Sequence, residues 1–285
     1  MHPIIHFSFS NMGVSTNGLE AALYGALKDN ADRFGVALTK KSYDLQFREL
    51  IEKASVKGQV VILIDEYDKP IIDFLDKPGE LEANRSMMKN FYSILKEADK
   101  YIRLLLITGV SQFSRVSVFS DLNNLRNITL SQQYGDLVGI TQQELEDNFV
   151  VEINELKKET PEILKELKQW YNGYTWNMKT WVYNPFSILN FMAEPVFDNY
   201  WYETGTPTFL VKQLKKLDIY NVEGIQMGSL ELSNFDVDNP NPGSLLFQTG
   251  YLTIKSISPS RQVYQLGYPN REVKASLTYC GALKV

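Results

Sequence analysis

The chain has 285 residues, of which 44% are hydrophobic and 22% are charged, and its formal net charge at pH 7 is -5. This composition is typical of a globular protein with a hydrophobic core, and the acidic balance argues against a protein that mainly coats nucleic acid. The single cysteine excludes an internal disulfide framework, and the two histidines argue against a histidine-rich metal site or a Ser-His-Asp triad.

Strands alternate with amphipathic helices in the first part of the chain. Runs of apolar and β-branched residues predict strands over residues 3–9, 60–64 and 102–108. Apolar residues at helical spacing predict helices over residues 18–34, 43–54 and 84–98. This alternation predicts an α/β fold with a mostly parallel sheet and flanking helices.

Short helices and aromatic residues dominate beyond residue 140. Thr141 and Glu144 have the spacing of a capping box, and helices are predicted over residues 163–171, 186–192 and 244–248. The aromatic residues between 170 and 202 are interpreted as a core between helices, with base stacking as the alternative. Two strands over residues 251–255 and 262–266 follow, and a helix followed by a hairpin predicts a winged-helix-like domain. We therefore predict three regions, at residues 1–140, 141–210 and 211–285.

The strand predicted over residues 60–64 ends in two adjacent acids, Asp65 and Glu66. A buried parallel strand delivers the residues that follow it to the carboxyl edge of the sheet. In nucleotide hydrolases the first acid of such a pair helps to hold Mg²⁺, and the second can polarise the attacking water. Asp68 adds a third acid, and a bound cation would relieve the repulsion among them. The alternative is that these acids are only solvated or cap the next helix.

Three further polar residues lie at or beyond the end of the strand predicted over residues 102–108. Thr108 and Ser111 are candidates to hydrogen-bond a phosphate or the attacking water, with capping of the strand end as the alternative. Arg115 is a candidate to stabilise charge on a transferred phosphate, as an arginine finger does, with pairing to a surface acid as the alternative.

No phosphate-binding loop occurs in the sequence. Such a loop, G-x-x-x-x-G-K-[ST], wraps phosphates with backbone N–H groups and neutralises them with its lysine. The nearest spacing runs from Gly13 to Gly18, but Leu19 and Glu20 follow it, and a glutamate there would repel phosphate. The residues predict only the acidic half of a hydrolase site.

Two segments resemble the AAA-ATPase-like family. Members of this family are P-loop ATPases of the AAA+/STAND type, and a PD-(D/E)XK nuclease-like domain usually follows the ATPase domain. The two segments are residues 62–71, ILIDEYDKPI, and residues 106–114, LITGVSQFS. The similarity continues through several shorter motifs to about residue 273. The resemblance implies that Asp65 and Glu66 are the Walker B acids and that Thr108 lies in the sensor-bearing strand.

The same resemblance implies ATP and Mg²⁺ as cofactors, with Asp65 as a metal ligand and Asp65 and Ser111 near the nucleotide. In the family the Walker A motif precedes the point where this sequence begins, and the nuclease-like domain follows about residue 274. We therefore expect a truncated ATPase-like domain with weak or no ATP hydrolysis of its own.

Two other functions remain open. The winged-helix-like region predicts a nucleic-acid or protein partner, with positive charge from Lys212, Lys215, Lys216, Lys255, Arg261 and Arg271. A metal-dependent nuclease, the weaker alternative, would use Glu272 and Lys274 as an E-x-K triplet with Asp236 or Asp238. The sequence has no run of about eighteen apolar residues. It shows no signal peptide either, so we expect a cytoplasmic protein with no membrane partner.

Overall fold

A computed structural model of the chain describes residues 2–112, 125–201, 222–233, 241–260 and 263–279. The chain divides into an N-terminal unit, mainly residues 1–125, and a C-terminal unit, mainly residues 126–285. The region boundaries predicted at residues 140 and 210 stay predictions. Among the described residues, no helix has both the length and the apolar character needed to cross a membrane.

Three parallel strands form the sheet of the N-terminal unit. They are β1 (Ile4–Ser8), β2 (Val60–Asp65) and β3 (Ile102–Ile107), in the spatial order β1-β2-β3. In this register Phe7 lies beside Ile64, and Ile64 lies beside Ile107, so the three strands end at the same edge. The predicted α/β class with a parallel sheet is confirmed.

The described residues of the same unit form five helices. They are α1 (Val14–Asn17), α2 (Leu19–Phe34), α3 (Tyr43–Ala54), α4 (Lys69–Ile72) and α5 (Pro78–Glu97). The helix predicted to begin at residue 84 begins at Pro78. Proline is favoured in the first turn of a helix, because the N–H group that it lacks would have no partner there. Short 3₁₀ turns at Ser55–Lys57 and Asp99–Tyr101 lead into β2 and β3.

Three phenylalanines join the sheet to the helices in the core of this unit. Phe7 on β1, Phe47 on α3 and Phe91 on α5 are fully buried. The rings of Phe47 and Phe91 stack at 4.3 Å, and Phe7 meets both edge-on at 5.2 and 5.3 Å. Such pairs stabilise a core by about 1 kcal/mol each beyond the burial of their area. They fix the helices against β1 and so fix the frame that carries the strand ends.

The C-terminal unit consists of short helices and antiparallel strands. Its first half contains β4 (Ile140–Thr141), α6 (Gln142–Asn148), α7 (Val150–Glu159), α8 (Ile163–Tyr171), β5 (Val182–Tyr183) and α9 (Pro185–Ala193). The predicted capping box is confirmed: Thr141 Oγ1 accepts from the Glu144 N–H at 3.2 Å, and Glu144 Oε2 accepts from the Thr141 N–H at 2.9 Å. Tyr171, Tyr183 and Phe191 are buried in one cluster, as expected for an aromatic core.

The second half of this unit contains a three-stranded antiparallel sheet. The elements of this half are β6 (Gln226–Gly228), α10 (Ser229–Ser233), α11 (Pro242–Gln248), β7 (Thr253–Ile257), β8 (Val263–Gly267) and α12 (Arg271–Tyr279). The predicted helix and hairpin are confirmed as α11, β7 and β8. The sequence did not predict β6, which pairs with β8 and gives the order β6-β8-β7. The winged-helix assignment stays a prediction.

Candidate functional site

All three parallel strands deliver polar residues to one edge of the N-terminal sheet. Ser8 lies beside Asp65 in the register, and the Phe9 N–H donates to the Asp65 carbonyl at 3.1 Å. On the other side, the Thr108 N–H donates to the Ile64 carbonyl at 2.8 Å. The sheet hydrogen bonding therefore continues just past the strand ends, and it brings residues from three distant parts of the sequence together.

Each acid of the predicted pair accepts a hydrogen bond from a hydroxyl group that lies just past the end of a neighbouring strand. Thr108 Oγ1 donates to Asp65 Oδ1, and Ser10 Oγ donates to Glu66 Oε2. Asp65 and Thr108 are exposed, whereas Glu66 is half-buried. The structure therefore brings together Asp65, Glu66 and Thr108 and adds Ser10. Sequence reasoning missed Ser10, although its place just beyond a predicted strand was a signal.

The backbone of Glu66 is strained. Its φ of 51° lies in the left-handed region, which a side chain with a Cβ adopts at a cost of order 1 kcal/mol. The adjoining Tyr67 N–H donates to the Thr108 carbonyl at 3.0 Å, so the turn is tied to the end of β3. Strained residues of this kind concentrate at active sites, because the surrounding structure can hold a side chain where it is needed.

Asp68 takes a different position from the acid pair. Its side chain is 1% exposed, and its Oδ1 and Oδ2 accept from the N–H groups of Val110 at 3.2 Å and Ser111 at 2.6 Å. Burial raises the pKa of Asp68 to about 6, and the two backbone hydrogen bonds oppose that shift. The expectation that three acids gather round one cation is wrong, because this carboxylate is satisfied inside the protein by backbone donors.

The two remaining predicted residues have different outcomes. Ser111 is 2% exposed, and its Oγ has no hydrogen-bond partner among the residues that the structure describes. Its backbone carbonyl accepts from Tyr67 Oη at 2.8 Å. Ser111 therefore lies behind the exposed edge rather than on it. Arg115 lies outside the described residues.

The donor atoms at the edge suit Mg²⁺ better than a softer metal. Asp65 offers a carboxylate, with one oxygen oriented by Thr108, and no nitrogen or sulfur ligand lies among the side chains just described. Mg²⁺ prefers oxygen ligands, keeps several waters and is commonly held through one or two carboxylates together with substrate phosphates. Across the described part of the chain, no group of three or more His, Cys, Asp or Glu side chains could hold a metal ion. The residues present fit a partly hydrated Mg²⁺ and no closed metal centre.

The E-x-K triplet of the C-terminal unit lies on α12 and cannot act as predicted. Glu272 is fully buried, and it accepts from Ser187 Oγ at 2.8 and 2.9 Å and from the Trp201 N–H at 2.9 Å. Lys274 is exposed and pairs with Glu223 at 3.7 Å. Residues two apart on a helix do not face each other, so these two groups do not converge on a metal. Asp236 and Asp238 lie outside the described residues.

The basic residues proposed for nucleic-acid contact are only partly described. Lys212, Lys215, Lys216 and Arg261 fall outside the described residues. Arg271 and Lys255 are exposed, and the stem of Lys255 passes over Gly267, where a Cβ would lie 3.0 Å from its Cγ. The described part of this unit therefore contributes two of the six cations named from the sequence.

Comparison with known proteins supports the resemblance. Residues 1–119 match the family model described as "Predicted AAA-ATPase". The "Uncharacterized protein in vnfD 5'region" of Azotobacter chroococcum mcd 1 is 38% identical over 283 residues. That alignment covers 97% of this chain and 54% of the relative, so the chain spans about half of the relative's length. No solved structure matches the chain significantly. Over residues 1–119, the chain is therefore similar to the AAA-ATPase-like family.

Proposed function

We propose that the N-terminal unit provides the acidic half of a Mg²⁺–nucleotide site on a P-loop NTPase-like sheet. The observation that carries this proposal is the pairing of Asp65 with Thr108, and of Glu66 with Ser10, at the carboxyl edge of three parallel strands. That edge is where open α/β sheets bind their ligands. The match of residues 1–119 to the AAA-ATPase-like family model favours ATP as the nucleotide.

Asp65 is proposed as the metal ligand. It is exposed, and the hydroxyl of Thr108 donates to one of its oxygens and so restricts the rotation of the carboxylate. Hydrogen-bonded partners of this kind orient a ligand and strengthen metal binding. The second oxygen of Asp65 lies outside that bond and is the atom proposed to face Mg²⁺ or its waters.

Glu66 is proposed to polarise the water that attacks the nucleotide. Its strained backbone places the carboxylate next to Asp65 in the chain. The Glu66 carboxylate accepts from Ser10, whereas Asp65 accepts from Thr108. A carboxylate next to a metal-held phosphate can orient water for in-line attack. Ser111 is proposed to contribute to the site through its backbone, since its side chain is buried. Arg115 stays a candidate for the arginine-finger role.

The proposed activity of this chain alone is weak. No G-x-x-x-x-G-K-[ST] segment occurs in its 285 residues, and backbone N–H groups and a lysine supply most phosphate contacts in such sites. Mg²⁺ held mainly by one carboxylate binds loosely, because it normally shares its shell with phosphate oxygens. We therefore expect metal-dependent nucleotide binding to be weak and hydrolysis by the chain alone to be slow or undetectable.

Paramagnetic Mn²⁺ tests this proposal, because it also prefers oxygen ligands. With ATP present, we expect Mn²⁺ to broaden the amide NMR signals of residues 65, 66 and 108. Asp65→Asn should abolish that broadening while leaving the rest of the spectrum unchanged. Asp29→Asn, the same charge change on an exposed residue of α2, is the matched control and should leave it intact.

Two results would contradict the proposal. One is broadening that persists in Asp65→Asn at the strength seen in the unaltered protein. The other is broadening centred on acids elsewhere in the chain. Either would show that the edge of the parallel sheet is not the metal site.

The alternative function is a nucleic-acid or protein contact through a winged-helix-like C-terminal region. The order of α11, β7 and β8 is compatible with it. The described cations do not favour nucleic acid, since Lys274, a further basic residue of this region, is already paired with Glu223. We therefore rank this function below the nucleotide site.

A further inference from the structure

We infer that Asp68 is a positioning residue of the candidate site: it holds the 108–112 loop, the segment that follows β3, and through that loop it holds Thr108 against Asp65. The inference rests on the proposed function, because it assigns a role in the same site. Asp68 is buried and is not proposed as a metal ligand.

A single buried carboxylate satisfies two consecutive amides of this loop. Its two oxygens are shared between the Val110 N–H at 3.2 Å and the Ser111 N–H at 2.6 Å. Hydrogen bonds to an ionised acceptor are about twice as strong as those between neutral groups. Asp68 precedes α4, whereas the loop follows β3, so the contact joins two elements that are 42 and 43 residues apart in sequence.

Tyr67 fixes the same loop at its two ends. Its N–H donates to the Thr108 carbonyl at 3.0 Å, and its Oη donates to the Ser111 carbonyl at 2.8 Å. Tyr67 therefore binds the backbone of both Thr108 and Ser111. The Thr108 carbonyl is tied to Tyr67, and the Oγ1 of the same residue is the donor to Asp65.

Gly109 allows this close approach. A Cβ at residue 109 would lie 2.5 Å from Tyr67 Cδ1 and 2.6 Å from Asp68 Oδ1. Atoms that are not bonded to each other do not approach this closely. The loop therefore packs directly on the side chains that hold it. No titratable residue occurs within residues 108–112 themselves, so no charge in the loop competes for the Asp68 carboxylate.

A carboxylate is required here for a specific reason. The two loop N–H groups donate to different oxygens of Asp68, so Asn at residue 68 would meet one of them with its NH₂ group, which cannot accept. A buried N–H left without an acceptor is costly. A purely apolar residue would leave both unsatisfied. The residue type is thus matched to holding two adjacent amides of one loop.

The first arm of the test measures the loop itself. In Asp68→Asn we expect the hydrogen-exchange protection of at least one of the two amides, Val110 or Ser111, to fall by about tenfold, the effect of losing one bond to a charged acceptor. Asp29→Asn is the control for charge and should change neither amide. Unchanged protection in Asp68→Asn overturns the inference whether or not nucleotide binds.

The second arm measures the consequence at Asp65. Asp68→Asn should weaken ATP-dependent Mn²⁺ binding by about tenfold, as loss of a residue that orients a ligand does. If Asp68 acts through Thr108, adding Asp68→Asn to a Thr108→Val variant should weaken Mn²⁺ binding little further. The effects of two substitutions do not add when both act through the same interaction. Fully additive losses would mean that Asp68 acts through its charge alone and would overturn the positioning role.

A milder variant covers the case in which Asp68→Asn does not fold. Tyr67→Phe removes only the hydroxyl that donates to the Ser111 carbonyl, and it should lower Ser111 protection and Mn²⁺ affinity by a smaller factor in the same direction. No change in either quantity would count against the inference. Failure of Mn²⁺ to bind the unaltered protein would refute the proposed function, and the exchange measurements would still decide the role of Asp68 in the loop.

Discussion

At the scale of single residues, two buried carboxylates share the direction and the main cause of their pKa shift but differ in their hydrogen-bond partners. Burial raises the pKa of both Asp68, to about 6, and Glu272, to about 7. Asp68 accepts from two backbone amides of one loop, whereas Glu272 accepts from a serine hydroxyl and one amide. Asp198 also raises the pKa of Glu272 through charge repulsion. Only Asp68 is adjacent to the candidate site; Glu272 serves the packing of the C-terminal unit.

The raised pKa of Glu272 predicts a pH-dependent stability. Its folded-state pKa is above its ordinary value of 4.5, so its charged form is disfavoured in the folded protein. Ionisation of Glu272 therefore lowers the free energy of unfolding. This loss is absent below about pH 4.5, grows as the pH rises and is complete above about pH 7. Glu272→Gln, which stays neutral, should therefore unfold at the same urea concentration as the unaltered protein at pH 4.5. It should be more stable by up to roughly 3 kcal/mol at pH 8.

Tryptophan fluorescence suits this measurement, because all four tryptophans, Trp170, Trp176, Trp181 and Trp201, belong to the C-terminal unit. Glu159→Gln changes an exposed acid at the end of α7 and is the control; it should give a difference that does not vary with pH. A Glu272→Gln variant that is destabilised equally at both pH values would show that the carboxylate is charged and required in the folded state.

At the scale of elements, local sequence patterns located most helices and strands. The helices at Tyr43–Ala54 and Ile163–Tyr171 have the predicted bounds, because apolar residues recur there at helical spacing. The two-residue strands β4 and β5 were missed, since a strand of that length has no detectable period. The short β6 was missed for the same reason, and it exists only because β8 offers it an edge.

The capping box of α6 predicts a measurable contribution to stability. Thr141→Ala removes the acceptor for the Glu144 N–H and should lower the free energy of unfolding by about 1 kcal/mol. Thr141→Ser keeps the hydroxyl and should cost much less. Urea unfolding followed by fluorescence compares the two. Equal losses in both variants would mean that the methyl group of Thr141, and not its hydroxyl, stabilises this end of the helix.

At the scale of the whole molecule, net charge bears on the alternative function. With a formal charge of -5, the chain is expected to repel a polyanion on average. We therefore expect no binding of a labelled DNA duplex at physiological salt in fluorescence anisotropy. Binding that is tight and falls steeply as salt rises would contradict this, because phosphate neutralisation releases counterions, and it would favour the C-terminal alternative.

The amino-acid sequence alone determined most of the helices and strands and the position of the acid pair. Periodicity located the three parallel strands, and because parallel strands end together, the positions of Asp65, Glu66 and Thr108 along the chain already implied that they meet. The capping box was readable for a similar reason, since all of its bonds lie within four residues. These features depend on local spacing, which a single sequence records directly.

Only the tertiary structure decided what each polar group binds. Ser10 meets Glu66 across 56 residues, and Asp68 turns inward to amides more than 40 residues away. Glu272 meets Ser187 across 85 residues. The sequence shows that a carboxylate is present, but its partner depends on which N–H or hydroxyl another element brings within about 3 Å. That choice is made by the packing of distant segments, and it separates the exposed acid at the sheet edge from the buried acid that holds the loop beside it.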